Sequence, residues 1–371
     1  VVAKLNGTYE MRIVIAAWHL RDFNVGIGRY CRNLIEAIAK VDQENEYEIL
    51  MAEGGLPAVS VPNVRLTRIR FPLFRRRFWE QVSHLLIRPY DVLHFPYDSR
   101  VLLKRGKFVV TIHDVKPLLF PEVYLGSERL RRGIDRIDRV ITDSQASKQD
   151  IVRLLGIPED KVDVACLGVS ESFSTAKTDR SVLRKYSINQ DYILYVGSGD
   201  PTKNLGCLLK AYNTLSADLR AGYSLVMVGD LKKNAALLKD IEALKLSNRV
   251  TLTGRVDEQD LIQLYRHAAL FVYPSLYEGF GLPVLEAMAS GVPVITSKVS
   301  SLSEVVGEAG VLINPQNFDE LRDEIIRLLM DRALQDRMRK NGLNRARQFS
   351  WEKTAMQTVE SYRKVITERL S

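Results

Sequence analysis

Cysteine is scarce in this sequence: three residues in 371, Cys31, Cys166 and Cys207. They are far apart, odd in number, and outside any Cys-x-x-Cys or Cys/His metal spacing, which speaks against a disulfide framework and a structural zinc site. They read as reduced packing residues of a cytosolic protein. Long apolar runs are missing too. No stretch approaches the roughly 18 residues that would span a bilayer. There is no Asp-x-Asp pair, so the sequence does not require a bound divalent cation. No repeat of solenoid period and no low-complexity tract occurs. The ten residues before Met11, VVAKLNGTYE, have neither an apolar run nor a cleavage signal, and read as upstream sequence rather than a secretory peptide. What is present is ordinary globular material, 46% apolar and 26% charged, with length for two domains.

Charge is unevenly placed. The formal net charge is +8, and residues 61–110 alone hold eleven Lys/Arg against three Asp/Glu. A local excess of this kind points to an anionic partner (phospholipid, nucleotide phosphate or nucleic acid) or to a solvated basic face. Nucleic acid is disfavoured, because no recognised binding motif is present and the basic residues are not interleaved with strand-borne stacking aromatics.

Short apolar, β-branched runs alternate with helical patterns through the chain. The first half holds strand candidates at 12–17, 46–52, 64–71, 91–95, 108–113 and 139–144; the second at 191–197, 223–229, 249–254, 269–274, 292–297 and 310–314. Continuously apolar strands between helices mean parallel sheets covered on both faces. Two such series predict an α/β chain of two Rossmann-like, doubly wound domains: 11–170, 185–349, and a final helix 350–371 expected to cross back onto the first domain. The polar stretch Ser170–Arg184 shows no periodicity and reads as the boundary.

In open α/β sheets ligands lie outside the carboxyl ends of the strands, so residues just after strands are the informative ones. That filter selects four places. Gly26 and Gly28 stand in a loop before a helix expected near Arg29; glycine lets backbone amides approach a ligand, and a helix N-terminus favours anions. Cys31 occupies the third position of a would-be G-x-G-x-x-G, so a dinucleotide fingerprint is not met. His113 and Asp114 close a strand, placed either as a core histidine or at the ligand edge. Lys203 enters a helix after the turn GSGDPTKN, where a helix N-terminus and a mobile ammonium suit phosphate. Glu278 sits in a Gly-rich turn, and Glu286 follows eight residues later in a helix expected to begin near Leu282. With a turn between them, the carboxylates can grip two parts of one extended ligand.

At these residues the sequence resembles the retaining glycosyltransferases of the GT-B fold, in particular family four. Glu278-GFGLPVL-Glu286 is similar to that family's E-x7-E motif, and Arg29–Tyr30, His113–Asp114, the run TDSQASKQDI and Lys203–Asn204 match in order, from Met11 to about residue 365. FWEQ (78–81) and DVLHFPYDS (91–99) look like members acting on bacterial polysaccharides, many of them mannosyltransferases.

The resemblance implies two domains facing a central cleft, with a nucleotide-sugar as co-substrate and no cofactor or metal. It implies transfer of a hexose, mannose from GDP-mannose, to a glycan or lipid-linked acceptor, with a UDP-linked glucosyl or N-acetylglucosaminyl donor as the alternative. Glu278 then contacts the donor sugar, Glu286 the ribose hydroxyls, and Lys203 the leaving diphosphate. The amides of Gly279, Phe280, Gly281 and Leu282 hold sugar and phosphate. His113 lies near the reacting sugar through its backbone carbonyl, Gly26 and Gly28 face the diphosphate and acceptor, and Arg255 and Val256 edge the base. Many relatives place an arginine where this chain has Ser198; here Ser198 or Thr202 offers only a hydroxyl, which leaves either Arg29 or another cation as the substitute, or a more weakly held donor.

The segment 71–90 interleaves Arg75, Arg76 and Arg77 with Phe71, Phe74, Phe78 and Trp79. It reads either as a contact with anionic membrane for a lipid-linked acceptor, on the inner face of the cytoplasmic membrane, or as a helix packed on the first sheet with a charged outer edge. The rivals are a nucleotide-sugar epimerase of the same fold and an NAD oxidoreductase; the E-x7-E context opposes the first and the failed glycine fingerprint the second.

Overall fold

The computed structural model describes residues 4–5, 8–9, 11–18, 20, 26–52, 61–69, 76–99, 103, 105–124, 130–131, 133–175 and 177–368. The chain divides into two compact units: Val1–Gly168 together with Ser350–Ser371, and Val169–Phe349.

Two short strands, β1 (Lys4–Leu5) and β2 (Thr8–Tyr9), pair antiparallel with Leu5 opposite Thr8. The first unit's sheet is built from β3 (Arg12–Ala16), β4 (Glu46–Met51), β5 (Val64–Arg68), β6 (Val92–Phe95), β7 (Lys107–Thr111), β8 (Arg139–Thr142) and β9 (Val162–Val164). Its order is β5-β4-β3-β6-β7-β8-β9, all parallel. The central strands are buried on both faces, which is why consecutive apolar residues such as Ile13–Ala16 replace an alternating pattern. The core beneath them includes Trp18, Phe95, Phe108 and Ile151.

The second unit's sheet comprises β10 (Asp191–Val196), β11 (Tyr223–Val228), β12 (Val250–Gly254), β13 (Leu270–Tyr273), β14 (Val294–Ser297) and β15 (Val311–Ile313), ordered β12-β11-β10-β13-β14-β15 and again all parallel. Each sheet winds outward in one direction, returns to its centre, and winds out the other way. The reversal falls between β3 and β6 in the first unit and between β10 and β13 in the second. Such a switch point leaves a crevice at the carboxyl ends of the two strands, because the following loops run apart.

The last helix, Trp351–Thr367, packs on the first unit along a stripe of Trp351, Ala355, Val359, Tyr362 and Val365. These residues recur every three or four positions, on one helical face. Ser350 caps the helix, accepting from Lys353 N–H at 3.3 Å. Thr354 Oγ1 donates to Cys166 O at 2.6 Å, and Lys364 pairs with Asp163 at 2.9 Å. The chain leaves this unit beside its point of return. A Cβ on Gly168 would stand 2.2 Å from Trp351 N, so glycine is needed where the two segments touch.

The stretch Ser170–Arg184, expected as a boundary without periodicity, belongs instead to the second unit. It holds the helix Ser172–Thr175 and the start of the helix Ser181–Lys185. Phe173 is fully buried, edge-on to Tyr265 at 5.9 Å, and Val182 is buried as well. Helices of four and five residues are too short to show a 3.6-residue period. Among the described residues no helix is long and apolar enough to cross a membrane.

Candidate active site

The turn after β10 is Gly197-Ser198-Gly199-Asp200, followed by a 3-10 turn at Pro201–Lys203. Asp200 caps that turn: its Oδ1 accepts from Thr202 N at 2.9 Å and from Thr202 Oγ1 at 2.5 Å. Asn204 then adopts a left-handed conformation, φ 58°, and starts the helix Leu205–Asn213. From there its Nδ2 donates to Pro274 O at 3.1 Å and Pro315 O at 2.6 Å. The main-chain carbonyl of Thr202 accepts from Leu276 N at 2.7 Å and from Ser275 Oγ at 2.9 Å. The loop after β10 is thus laced to the loop after β13, and the two flank the switch point.

This lacing brings Lys203 and Glu278 together. Lys203 Nζ lies 2.5 Å from Glu278 Oε1 and 5.4 Å from the centre of the Tyr273 ring. Both charged side chains are about nine-tenths buried, at 11% and 10% exposure. Burial pulls the ammonium's pKa down, but the Glu278 carboxylate outweighs it, and Lys203 titrates above its ordinary value. Burial, reinforced by neighbouring charge that includes Glu278, drives the stacked phenols Tyr195 and Tyr273 well above theirs, so both remain neutral. Ser275 Oγ adds a contact of 2.7 Å to Glu278 Oε1.

The Gly-rich turn is braced from behind by the helix Ser300–Val306. Glu278 N–H donates to Ser300 Oγ at 2.9 Å, and Ser301 Oγ reaches Glu278 O at 2.8 Å and Phe280 O at 2.9 Å. Phe280 is turned inward, edge-on to Phe349 at 5.9 Å. Gly281 caps the helix Leu282–Ala289 with φ +104°, and a Cβ there would meet Leu302 Cδ2 at 2.7 Å. Pro283 falls in the first turn, where its missing N–H costs nothing. Glu286 is buried within this helix, at 2% exposure, and accepts from Tyr265 OH at 3.1 Å.

Elsewhere on this edge Ser198 is exposed, and its Oγ makes only a long 3.4 Å contact with Asp200 N. Thr202 is 1% exposed with its hydroxyl spent on Asp200, so it does not offer that hydroxyl to a phosphate as expected. Arg255, after β12, is exposed and lies 3.5 Å from Asp230, after β11; Val256 beside it is half-buried.

In the first unit the helix expected near Arg29 begins three residues earlier, spanning Gly26–Val41. Gly26 and Gly28 therefore lie in its first turn, whose N–H groups have no intrahelical partner, rather than in a preceding loop. Residues 21–25 of that loop lie outside the described residues. Arg29 is half-buried. Asp114 Oδ1 accepts from Lys116 N at 2.9 Å.

His113, two residues beyond β7, places Nδ1 2.7 Å from Asp143 Oδ2 and packs edge-on against Tyr30 at 4.6 Å. Its carbonyl, the group expected to meet the sugar, already accepts from Ser147 Oγ at 3.1 Å. Asp143 was not singled out from the sequence, although it follows β8 just as His113 follows β7. Beside Ser144 it reads as part of a helix cap, which Ser144 indeed forms over Ser147 N at 3.0 Å. Of the basic segment, Arg75 lies outside the described residues. Arg76 and Arg77 open the helix Arg76–Val82, their side chains not described. Phe78 and Leu86 are exposed, while Ser83 and His84 are buried.

Two family models cover most of the chain: Glycosyltransferase Family 4 over residues 25–173, and Glycosyl transferases group 1 over 179–345. The O-antigen chain mannosyltransferase B of Escherichia coli is 32% identical over 387 residues, covering 95% of this chain and 100% of that one. The chain belongs to glycosyltransferase family 4. The Escherichia coli serotype-specific mannosyltransferase WbdA is also 32% identical, over 70% of the chain but only 34% of its own length. In fold the glycosyltransferase is similar to Anabaena HepE, solved in complex with UDP and glucose, with TM-score 0.72, 19% identity, and coverage of 96% and 100%. It has the two-unit GT-B architecture, each unit a parallel Rossmann-like sheet.

Proposed function

We propose that this glycosyltransferase moves mannose from GDP-mannose to a glycan or lipid-linked acceptor during bacterial polysaccharide synthesis. Retention of anomeric configuration and independence of metal are part of this reading. The observation that carries it is the buried Lys203–Glu278 contact at the second unit's switch point, 2.5 Å long and laced in place by Asn204 and Thr202. Breaking a sugar–phosphate bond develops negative charge on the diphosphate and positive charge on the sugar. A fixed ammonium and a fixed carboxylate, held in a largely buried site, serve those two needs without reorganising. The positive end of the helix Leu282–Ala289 supplies further anion stabilisation.

In this reading Glu278 contacts the sugar, Glu286 the ribose, Lys203 and Ser198 the diphosphate, and Arg255 and Val256 border the base. Gly279, Phe280, Gly281 and Leu282 contribute backbone amides, and Gly26, Gly28 and Arg29 serve the first unit's ligand edge. The acceptor hydroxyl attacks the anomeric carbon on the face the phosphate leaves, and its proton passes to the leaving phosphate oxygen. The mannosyl donor is supported by the Escherichia coli relative's own name, at 32% identity over nearly the whole chain. A nucleoside diphosphate donor is supported by the UDP bound in HepE. Exposed Phe78 and Leu86, in a segment whose sequence also carries Arg75, Arg76 and Arg77, support peripheral contact with anionic membrane at the cytoplasmic face.

The test is thermal unfolding against GDP, UDP, ADP and their common sugars, with and without chelator. A ligand at 100 times its Kd stabilises by about 2.7 kcal/mol. A shift with GDP and GDP-mannose that survives chelator is expected. A shift confined to UDP ligands would overturn the mannosyl reading in favour of a glucosyl or N-acetylglucosaminyl donor, and no shift with any of them would overturn the donor site itself.

A further inference from the structure

Two histidines of the first unit sit in opposite chemical surroundings. His94 is buried in β6 between two hydroxyls, with Nδ1 2.7 Å from Tyr362 OH and Nε2 2.8 Å from Thr111 Oγ1. A hydroxyl donates or accepts as required, so a neutral ring satisfies both contacts. His113 lies between two groups that only accept: Asp143 Oδ2 at 2.7 Å from Nδ1, and the main-chain oxygen of Pro96 at 3.3 Å from Nε2. A neutral imidazole carries one N–H, and would turn a lone pair toward one of these oxygens. Only a ring protonated on both nitrogens donates to both.

The surroundings of Asp143 agree. Its side chain is 3% exposed, and its second oxygen, Oδ1, has no hydrogen-bond partner among the described residues. A buried carboxylate held by a single hydrogen bond needs a countercharge beside it. Among the described residues, the groups facing the pair are Asp114 on the same loop as His113, Tyr30 from the helix Gly26–Val41, His94 from β6, and the Ser147 hydroxyl from the helix Gln145–Leu155. None of these is a cation: burial keeps the Tyr30 phenol neutral and His94 uncharged.

We propose that His113 works as a fixed imidazolium, with Asp143 as its positioning residue, and offers Nε2–H to an oxygen of the substrate. The contact to Pro96 is the longer of the two, so it is the one a ligand oxygen can take over. The ring remains 20% exposed for that purpose. A ring without a lone pair cannot act as a general base, so His113 does not take the acceptor proton. This role rests on the glycosyl-transfer reading given above; the ionisation itself does not.

The experiment is NMR of the imidazole nitrogens in the full-length protein between pH 5 and 9, with His113→Gln used to assign the signal. Both nitrogens of His113 are expected to be protonated at pH 7, with the midpoint above the ordinary histidine value of about 6.5. His94 is expected to stay neutral, and Asp143→Asn to lower the His113 midpoint by about one unit or more. A neutral His113 at pH 7 in the unaltered protein would overturn the proposal whether or not glycosyl transfer is seen, and whether or not Asp143→Asn folds. In turnover, kcat is expected to fall as pH rises through the NMR midpoint. A rise would overturn the donor role while leaving the transferase reading standing.

Discussion

Lys203 and Glu278 meet at 2.5 Å although 75 positions separate them in the chain, one following the first strand of the second sheet and the other the fourth. Their contact crosses the point where the strand order reverses, and both are buried. Removing one partner leaves the other as an uncompensated buried charge, at a cost of about 3–5 kcal/mol. Lys203→Met and Glu278→Gln should therefore each lower the unfolding midpoint, and the double variant should recover much of the loss, because no lone charge remains. Turnover should stay at least about a hundredfold down in all three, the range expected when a preorganised charge is lost. Near-normal turnover in Glu278→Gln would remove this residue from the site.

Gly281 and Gly26 differ in what surrounds them. Gly281 holds φ +104° with Leu302 Cδ2 2.7 Å from a would-be Cβ, whereas nothing lies within 4 Å of a Cβ on Gly26. Gly281→Ala is expected to cost about 1–3 kcal/mol in denaturant unfolding, as strained backbone does. Gly26→Ala, at the first residue of its helix, should be neutral or stabilising by up to about 1 kcal/mol. If Gly26→Ala keeps stability but weakens substrate binding, close approach of a ligand to that backbone is the reason for the glycine. Unchanged binding would remove Gly26 from the site.

The strands were legible because each is a short run of Val, Ile and Leu closed by a polar or glycine turn. β9 was not: Val162-Asp163-Val164 is three residues long, and Asp163 at its centre serves Arg139 and Lys364 rather than marking a loop. The β1–β2 pair lies outside the expected strands, although Asn6-Gly7 between them is a strong hairpin signal. Position at a strand end marks Lys203, His113 and Glu278 as candidates. It does not mark what holds them, since Asn204 does its work from a left-handed backbone that residue type alone does not announce. Asp143 carried the same strand-end signal as His113 and was hidden by the cap next to it.

His94 makes the first unit sensitive to acid. Burial holds its pKa down to about 3, so the folded chain keeps it neutral while the unfolded chain protonates near 6.5. A group depressed in this way gives stability that is present above pH 6.5 and is lost as pH falls from there toward 3. The slope is about 1.4 kcal/mol per pH unit for one proton. Replacing it by Gln, an uncharged amide that can still reach Thr111 or Tyr362, should lower stability at pH 7 but flatten its decline between pH 6 and 4. Parallel declines in the two proteins, measured by denaturant midpoint, would show that the acid response originates elsewhere.

Ser198 stands exposed at the carboxyl end of β10, five residues before Lys203, where family resemblance places an arginine. A hydroxyl there offers a neutral hydrogen bond of about 1 kcal/mol, whereas a guanidinium offers two parallel charge-assisted ones. The neighbouring turn is already fixed by Asp200 and Asn204, so a side chain pointing outward from Ser198 need not disturb it. Ser198→Arg is therefore expected to tighten binding of the nucleoside diphosphate by about tenfold at low salt, equivalent to about 1.4 kcal/mol. The gain should shrink at high ionic strength, as an exposed charge requires. Calorimetric titration with GDP at two salt concentrations checks both points. An unchanged Kd at low salt would mean that the diphosphate does not pass Ser198, and that the anchoring charge is Lys203 with the helix N-terminus alone.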